Sequence, residues 1–191
     1  MTIIEGYTLT LPDRWQSWRP GEGAARADEI AAALGEGEQA QARVREAVLA
    51  FDGAQEGMVV ENGIWVPDPS SGEALGRFSI EVLVAPPGQY VTAEEYLRSA
   101  QRKPRQRGVK VFHYEAVGGE TPAGPAVLVT HTIAPRRGGQ VVISAEWTVF
   151  PPGADESLQL LFTTPISAVA DALGEQSVLV VNGLDVTVGA G

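Results

Sequence analysis

The sequence contains no cysteine and only two histidines among its 191 residues. The absence of cysteine excludes disulfide bonds, thiol catalysis and cysteine-ligated zinc or iron–sulfur sites. No phosphate-binding loop and no nucleophile-elbow motif occurs. No apolar run approaches the roughly 18 residues of a membrane-spanning helix, and the first residues lack the basic and apolar regions of a secretory signal. We therefore expect a soluble, cytoplasmic protein without membrane insertion.

Positive charge is also scarce, with 14 Lys and Arg against 24 Asp and Glu and a formal net charge of −10. This balance repels nucleic acid and anionic lipid, so we expect no nucleic-acid partner. Apolar residues make up 44% of the chain and charged residues 20%, which is typical of a globular protein. The length fits one domain over residues 1–191.

The clearest pattern in the sequence is a series of apolar runs separated by short polar turns. Three consecutive runs, residues 125–133, 140–150 and 157–164, predict an antiparallel meander. Further strands are predicted near the N-terminus and at residues 75–85 and 109–117. The strand ending at residue 117 is expected to lead into a turn over residues 118–124. Asn62-Gly63, a dipeptide that suits a type I′ turn, predicts a small hairpin within residues 58–66.

An Ala-rich segment at residues 23–54 is predicted to be helical and packed against the rest of the protein. Val44, Val48 and Phe51 recur at helical spacing. Gly35 and Gly37 are expected to divide the segment into two helices. A coiled coil is the alternative, but the glycines and the lack of sustained heptads favour packed amphipathic helices.

Two more helices are indicated by their start signals. Thr92 with Glu95 forms a capping-box pattern, and Thr164-Pro165 has a capping residue followed by proline at the first helical position. The end of the last helix is ambiguous. Local chemistry favours a stop at Gly174 followed by a hairpin, whereas a helix extending to about Asn182 must tolerate that glycine at a cost of about 1 kcal/mol. We adopt the longer helix.

Several segments match a known pattern in their order along the chain. They are YTLTLPDRW at 7–15, FSIEVLV at 78–84, TAEEYLR at 92–98, PAGPAVLV at 122–129, EWTVFPPG at 146–153 and LQLLFTTP at 158–165. This order resembles the Mog1/PsbP-like superfamily, and within it the uncharacterised actinobacterial and DcrB-like branch. The resemblance implies an α/β (α+β) sandwich, with an antiparallel sheet of about six strands and helices on both faces. The Ala-rich segment at 23–54 is then an insert.

The resemblance also implies a function class. Members of the superfamily mostly hold other macromolecules, among them a nuclear-transport GTPase, photosystem subunits and secreted effectors, and few are known for catalysis. We therefore expect a non-enzymatic protein-binding, adaptor or chaperone-like protein with no cofactor. Its partner is expected to be another protein, which either presents an acidic segment or is a secreted effector. A structural subunit of a larger assembly is a further alternative, and the oligomeric state stays open. No partner-binding residue of the superfamily transfers to this chain.

The alternative function is a metal-dependent or acid–base enzyme. His113 and Glu115 share a face of a strand at positions i and i+2, and a hairpin closing near Thr121 can bring His131 beside them. Two imidazoles and one carboxylate can form a facial triad for iron or part of a zinc site. Two ordinary sheet histidines are the simpler interpretation, so we expect no metal and no catalytic residues.

Two groups of residues are candidates for binding a protein partner. Residues 98–110 are free of acidic residues, and their positive side chains can attract an acidic segment of another chain, although a solvated helix end has the same composition. The basic candidates are Arg98, Arg102, Lys103, Arg105 and Arg107, with Lys110 beyond them. Trp15 and Trp18 flank a predicted turn and are candidates for an apolar contact, although packing in the core is the favoured interpretation.

Overall fold

The computed structural model of the protein describes residues 2–54, 58–84, 91–102, 108–136 and 138–191. Its strands are β1 (Thr2–Leu9), β2 (Trp15–Trp18), β3 (Val59–Trp65), β4 (Gly76–Val84), β5 (Val109–Thr121), β6 (Gly124–Pro135), β7 (Val142–Val149), β8 (Glu156–Thr164) and β9 (Leu184–Ala190). Its helices are α1 (Gly23–Leu34), α2 (Glu38–Gly53), α3 (Ala93–Ala100) and α4 (Ala170–Asn182), and a 3₁₀ turn at Ser167–Val169 precedes α4.

Seven strands form one antiparallel sheet in the order β2-β3-β4-β8-β7-β6-β5. The three runs of the predicted meander are β6, β7 and β8, which lie side by side. Strands β1 and β9 pair with each other in a separate two-stranded ribbon. The predicted fold class, an antiparallel sheet with helices on both faces, is confirmed.

One face of the sheet, here called the α4 face, carries the main core. Alternate side chains of β4 and β8 point to this side, and Phe78, Ile80, Leu160 and Phe162 are all 0% exposed. Helix α4 covers them through Leu173, Val180 and Val181. Burying large apolar side chains on both layers is the main source of stability here.

The opposite side, here called the α3 face, carries the other three helices in two separate groups. Helices α1 and α2 pack together over β2 and β3, where Trp18, Val44, Val48 and Ile64 are buried. Helix α3 packs over β5 and β6 at the far end of the sheet. The division of residues 23–54 into two helices at Gly35 and Gly37 is as predicted, and Gly37 has a φ of 83°, which glycine adopts readily.

The predicted hairpin at Asn62-Gly63 is wrong, because both residues lie within the continuous strand β3. Asn62 pairs with Trp18 on one side and with Ser79 on the other, so the strand has a neighbour along both edges. A Cβ atom at Gly63 would overlap the ring of Phe78. The glycine is therefore explained by a close approach to an aromatic ring and not by a turn.

The predicted turn over residues 118–124 is also wrong in extent. Strand β5 continues to Thr121, and only Pro122 and Ala123 separate it from β6. The hydroxyl of Thr121 donates to the carbonyl of Gly124 at 2.8 Å across this tight turn. The glycines at 118 and 119 are strand residues, and β5 is consequently 13 residues long.

The C-terminal segment differs from the prediction at both ends of the helix. Helix α4 does extend to Asn182, but it begins at Ala170 and not at Pro165. The hydroxyl of Thr164 accepts the N–H of Ile166 at 3.1 Å, so it stabilises a turn ahead of the helix. Strand β9 follows the helix, and the sequence analysis did not predict it. It pairs with β1, whose partner was also unpredicted.

The segment around Trp15 and Trp18 is a strand, β2, and not the predicted turn. None of the helices in the described part of the chain is long and apolar enough to cross a lipid bilayer.

Candidate functional site

The structure does not bring His113, Glu115 and His131 together. His131 lies opposite Tyr114 in the register of β5 and β6, whereas His113 lies opposite Thr132. Residues directly opposite each other share a face, so His113 and Glu115 point to the α4 face and His131 points to the α3 face. Within the described residues, no group of three or more His, Asp or Glu side chains is arranged to hold a metal ion.

The two tryptophans proposed for partner contact lie in the core. Trp15 is 2% exposed and donates its indole N–H to Gln176 at 3.0 Å. Trp18 is 1% exposed and donates to Asp52 at 3.0 Å. The packing interpretation favoured from the sequence matches these positions.

The basic candidates lie at and beyond the end of α3. Arg98 and Arg102 are exposed. Lys103, Arg105 and Arg107 lie outside the described residues. The ammonium group of Lys110 sits 4.6 Å from the ring centroid of Phe112, where a cation–π contact is favourable.

The most distinctive surface is an open strip of sheet on the α3 face between α2 and α3. We call it the trough and define its floor by the outward side chains of β4 and β8 and by Glu146 of β7, whose neighbours on the same face, Ser144 and Thr148, are buried. One row of the register crosses it through Ser79, Leu161 and Glu146. None of the three is buried. On the α4 face the central side chains of β4 and β8, Phe78, Ile80, Leu160 and Phe162, are fully buried, so the middle of these two strands is covered on that side and partly exposed on the other.

The width of the trough follows from strand spacing. The described helices on this face pack over β2 and β3 or over β5 and β6. Neighbouring strands lie about 4.8 Å apart. Helix α2 contacts β3, and α3 lies over β5 and β6, so about four and a half strand spacings, about 22 Å, separate their axes. Because a helix with its side chains is about 10 Å across, the space between them is about the diameter of one helix.

The wall on the α3 side borders an open cavity of about 300 Å³ with both polar and apolar side chains in its lining. The hydroxyl of Tyr96 donates to Glu146 Oε1 at 3.1 Å, and the hydroxyl of Tyr114 donates to the carbonyl of Ala100 at 2.6 Å. His131 also lines this cavity. These bonds fix α3 to the sheet and leave the imidazole and the carboxylate facing the same space.

The ionisable groups of the cavity are perturbed mainly by burial. Burial lowers the pKa of His131 below its usual range, and the nearby Glu146 carboxylate opposes this shift in part. Burial also raises the pKa of both Tyr96 and Tyr114, and the charge of Glu146 acts in the same direction. The arrangement therefore favours a neutral imidazole and protonated phenols at neutral pH, which are groups suited to hydrogen bonding.

The opposite wall carries an exposed arginine, Arg77. The guanidinium of Arg77 lies 4.9 Å from the ring centroid of Phe51 in α2, and its Nε donates to the hydroxyl of Thr163 at 3.0 Å. Partial desolvation of the guanidinium lowers the pKa of Arg77, but an arginine side chain keeps its charge in proteins. The trough thus has a fixed positive charge at the α2 wall and a carboxylate, Glu146, at the α3 wall.

Glu146 was not predicted from the sequence as a site residue, although the sequence contains a signal for it. Glu146 is the single charged residue of β7, whose other residues are apolar, Ser or Thr. A charge in the interior of a central strand must face an opening or a partner, because burial without one costs several kcal/mol or more. The lone charge in β7 does not show which strand pairs with β7, so it could not predict that Glu146 lies near His131.

Comparisons with known proteins give structural likenesses only. LpqN of Mycobacterium tuberculosis, a protein involved in cell envelope biogenesis, is 10% identical over 95% of this chain and 83% of its own, with a TM-score of 0.49. The Ran-binding protein Mog1p of Saccharomyces cerevisiae is 14% identical over 70% of this chain and 82% of its own, with a TM-score of 0.44. A Bacteroides thetaiotaomicron protein is 12% identical over 97% of this chain and 48% of its own, with a TM-score of 0.39.

Neither a protein-family model nor a curated protein sequence matches this chain. All three TM-scores lie below 0.5, and all three identities lie below 25%.

Proposed function

We propose that this protein is a non-enzymatic protein-binding protein that holds a segment of another chain in the trough between α2 and α3. The observation that carries the proposal is the unequal covering of β4 and β8. On the α4 face Phe78, Ile80, Leu160 and Phe162 are 0% exposed, whereas on the α3 face Ser79 and Leu161 remain partly exposed. A concave strip with an apolar centre and charged walls is typical of a surface that binds another molecule.

The dimensions and chemistry favour a helical segment as the occupant. The trough is about one helix diameter wide. An amphipathic helix can lay its apolar stripe on Leu161 while its polar residues meet Arg77 and Glu146 at the two walls. A carboxylate of the partner near Arg77 and a basic residue near Glu146 would complete the charge pairing.

The basic residues after α3 add an electrostatic contribution to this proposal. Arg102 is exposed at the end of α3, and Lys103, Arg105 and Arg107 follow it in the sequence. In a chain with a net charge of −10, this local positive charge would attract an acidic part of the partner and increase the association rate at low salt. The proposal includes adaptor or chaperone-like action on a secreted effector, which identification of the partner tests. It also includes a cytoplasmic location, which subcellular fractionation tests.

The test compares a floor variant with a control on the other side of the sheet. Leu161→Glu introduces a charge into the floor of the trough. Val178→Glu introduces the same charge on the outer surface of α4, where Val178 is exposed. Each protein is cross-linked to its partners in native lysate. The trough is supported as the binding surface if the wild type and Val178→Glu capture the same proteins and Leu161→Glu loses them at an unchanged melting temperature.

The proposal is contradicted if Leu161→Glu retains the same proteins as the wild type while it remains folded. The basic residues are tested separately by reversing Arg102, Lys103, Arg105 and Arg107 to Glu. Binding that is weakened by this reversal and by added salt supports the electrostatic contribution. Binding that responds to neither excludes these residues from the contact.

A further inference from the structure

Strand β5 ends the sheet, and its outer edge pairs with no strand in the described part of the chain. The direction of its backbone groups can be derived. Phe150 N–H donates to the carbonyl of Pro125 at 2.8 Å, so the backbone of Pro125 faces away from β5. Backbone groups alternate in direction along an antiparallel strand, so Glu120, opposite Pro125, points its N–H and C=O outward. The same holds for Tyr114, Ala116 and Gly118.

Between Tyr114 and Glu120 this edge has no proline and no bulge, two of the features that usually prevent strands from pairing with other chains. Proteins protect edges with prolines, bulges, short strands or inward charges. The bulge of β5 lies before His113, and from Tyr114 to Glu120 the pairing is regular. The segment contains small residues at its centre and Val117, which is 45% exposed. The other edge of the sheet, β2, is only four residues long.

We propose that β5 pairs antiparallel with β5 of a second copy of this chain, about a two-fold axis at Val117. In this register Ala116 of one copy exchanges hydrogen bonds with Gly118 of the second copy, and Tyr114 exchanges them with Glu120. Val117 faces Val117 of the second copy, which buries two exposed apolar side chains. The sheet then continues from one copy into the other.

The charges along β5 select this register. With the axis at Val117, Glu115 lies opposite Gly119 of the second copy, and no like charges face each other. Shifting the axis by two residues to Glu115 would place that carboxylate directly against its own copy, which is destabilising. Shifting the axis two residues the other way, to Gly119, brings it closer to the turn after Thr121 and shortens the paired segment.

Helix α3 also fits the symmetric arrangement. It packs over both β5 and β6, and a Cβ atom at Gly118 would lie 3.1 Å from Leu97 Cδ2, so the middle of α3 lies close to the proposed axis. Helix α3 lies half a strand spacing inside β5, and the two-fold axis lies half a spacing outside it. Each α3 helix is then one spacing, about 4.8 Å, from the axis, and the two helices are about 10 Å apart. Packed helices have axes about 8–10 Å apart, so the helices would meet as the strands pair.

The exposed side chains of α3 are complementary in this arrangement. Glu94 and Arg98 are both exposed, one helical turn apart. The two-fold axis makes the helices antiparallel, and it brings Glu94 of one copy within a turn of Arg98 of the second copy, twice in the dimer. Such surface pairs contribute little free energy, but they favour the antiparallel arrangement over a parallel one. A second copy therefore matches this edge in backbone, apolar contact and charge.

The absence of native cysteine allows a direct test by a single engineered thiol. Residues opposite each other in a non-hydrogen-bonded antiparallel pair have Cα atoms about 4.5 Å apart, within the range that a disulfide spans. Val117→Cys is therefore expected to form a disulfide-linked dimer. Val178→Cys, at a residue 40% exposed on α4, is the matched control. At equal concentration and mild oxidation, Val117→Cys should cross-link at least about tenfold faster, because paired thiols have a high effective concentration.

A second pair of variants tests the register without a covalent cross-link. Val117→Lys and Val117→Glu each place like charges against each other on the axis, so each alone should sediment as a monomer under conditions where the wild type is a dimer. An equimolar mixture should recover the dimer, because the opposite charges then face each other. The exposed position makes both variants compatible with folding.

Three results would overturn the proposal. They are a wild-type protein that sediments as a monomer at high concentration, cross-linking of Val117→Cys no faster than that of Val178→Cys, and a mixture of the charged variants that stays monomeric. The dimer does not rest on the function proposed above. Leu161→Glu alters the trough and should leave dimerisation unchanged, so failure of either proposal is distinguishable from failure of the other.

Discussion

The indole N–H of Trp18 donates to Asp52 Oδ1 at 3.0 Å, and through this bond the end of α2 holds strand β2. The same carboxylate accepts the backbone N–H groups of Gly21 and Gly23 at 2.9 and 3.0 Å. These amides lie at the start of α1, where N–H groups have no partner within the helix. The Asp52 side chain of α2 thus accepts hydrogen bonds both from the backbone at the start of α1 and from a buried tryptophan.

Asp52→Ala is expected to lower the free energy of unfolding by about 2–4 kcal/mol, because it removes a helix cap and leaves the buried indole N–H of Trp18 without an acceptor. Chemical denaturation measures the change. Asp28→Ala is the control, since Asp28 pairs with Arg45 at the exposed surface and its loss should cost less than about 1 kcal/mol. Equal losses in the two variants would contradict the structural role of Asp52.

Gly63→Ala is expected to destabilise the protein by about 1–3 kcal/mol, because the added methyl group would overlap the ring of Phe78 in the main core. Gly6→Ala provides the comparison, since a Cβ atom at Gly6 has nothing within 4 Å. Thermal or urea unfolding of both variants tests the position of Gly63 within β3. A neutral or stabilising Gly63→Ala would favour an exposed turn at this position.

His131 should make stability depend on pH. Because burial lowers the pKa of His131 in the folded protein, the unfolded chain binds a proton more readily, and stability should decrease as pH falls through the ordinary histidine range near 6.5. His131→Gln should reduce this decrease. His113→Gln, at an exposed position, is the control. Urea unfolding between neutral and mildly acidic pH measures the difference between variants, and identical profiles for the wild type and His131→Gln would contradict the prediction.

Tyr7 links the β1–β9 ribbon to the large sheet. Its hydroxyl donates to Glu61 Oε2 at 2.8 Å, and burial, with a further contribution from Glu61, raises the pKa of Tyr7. An unfolded tyrosine ionises near pH 10, so the folded state should lose stability as the pH rises above that value. Tyr7→Phe should cost about 1 kcal/mol at neutral pH and reduce the alkaline loss. Unfolding free energies measured on both sides of pH 10 provide the test, and parallel curves for the two proteins would refute it.

Much of the fold was predictable because it is specified by local patterns. The apolar runs of β6, β7 and β8, the glycines between α1 and α2, and the capping box of Thr92 and Glu95 each act over a few residues, and all three appear in the structure. The errors lie where a distant contact overrides a local preference. Asn62-Gly63 has the composition of a turn, but the neighbouring strands β2 and β4 hold it in an extended strand.

The candidate site was less predictable for a related reason. Whether His131 faces His113 depends on the register of β5 and β6, and a shift of one residue moves a side chain to the other face. The register includes a bulge between Val111 and His113 that the sequence does not announce. The trough depends further on where α2 and α3 pack, which no local pattern contains.

The pairing of β1 with β9 also has a consequence for synthesis and folding. Thr2 lies opposite Ala190, so this ribbon joins segments separated by nearly all of the chain. Because β1 precedes β9 in the sequence, it leaves the ribosome first, and among the described strands it has no partner until β9 has been made. Contacts between residues so far apart in sequence form slowly, because closing a long loop costs entropy before any contact compensates for it. The ribbon is therefore expected to be among the last parts of the fold to assemble, after the large sheet has formed a surface on which it can pack.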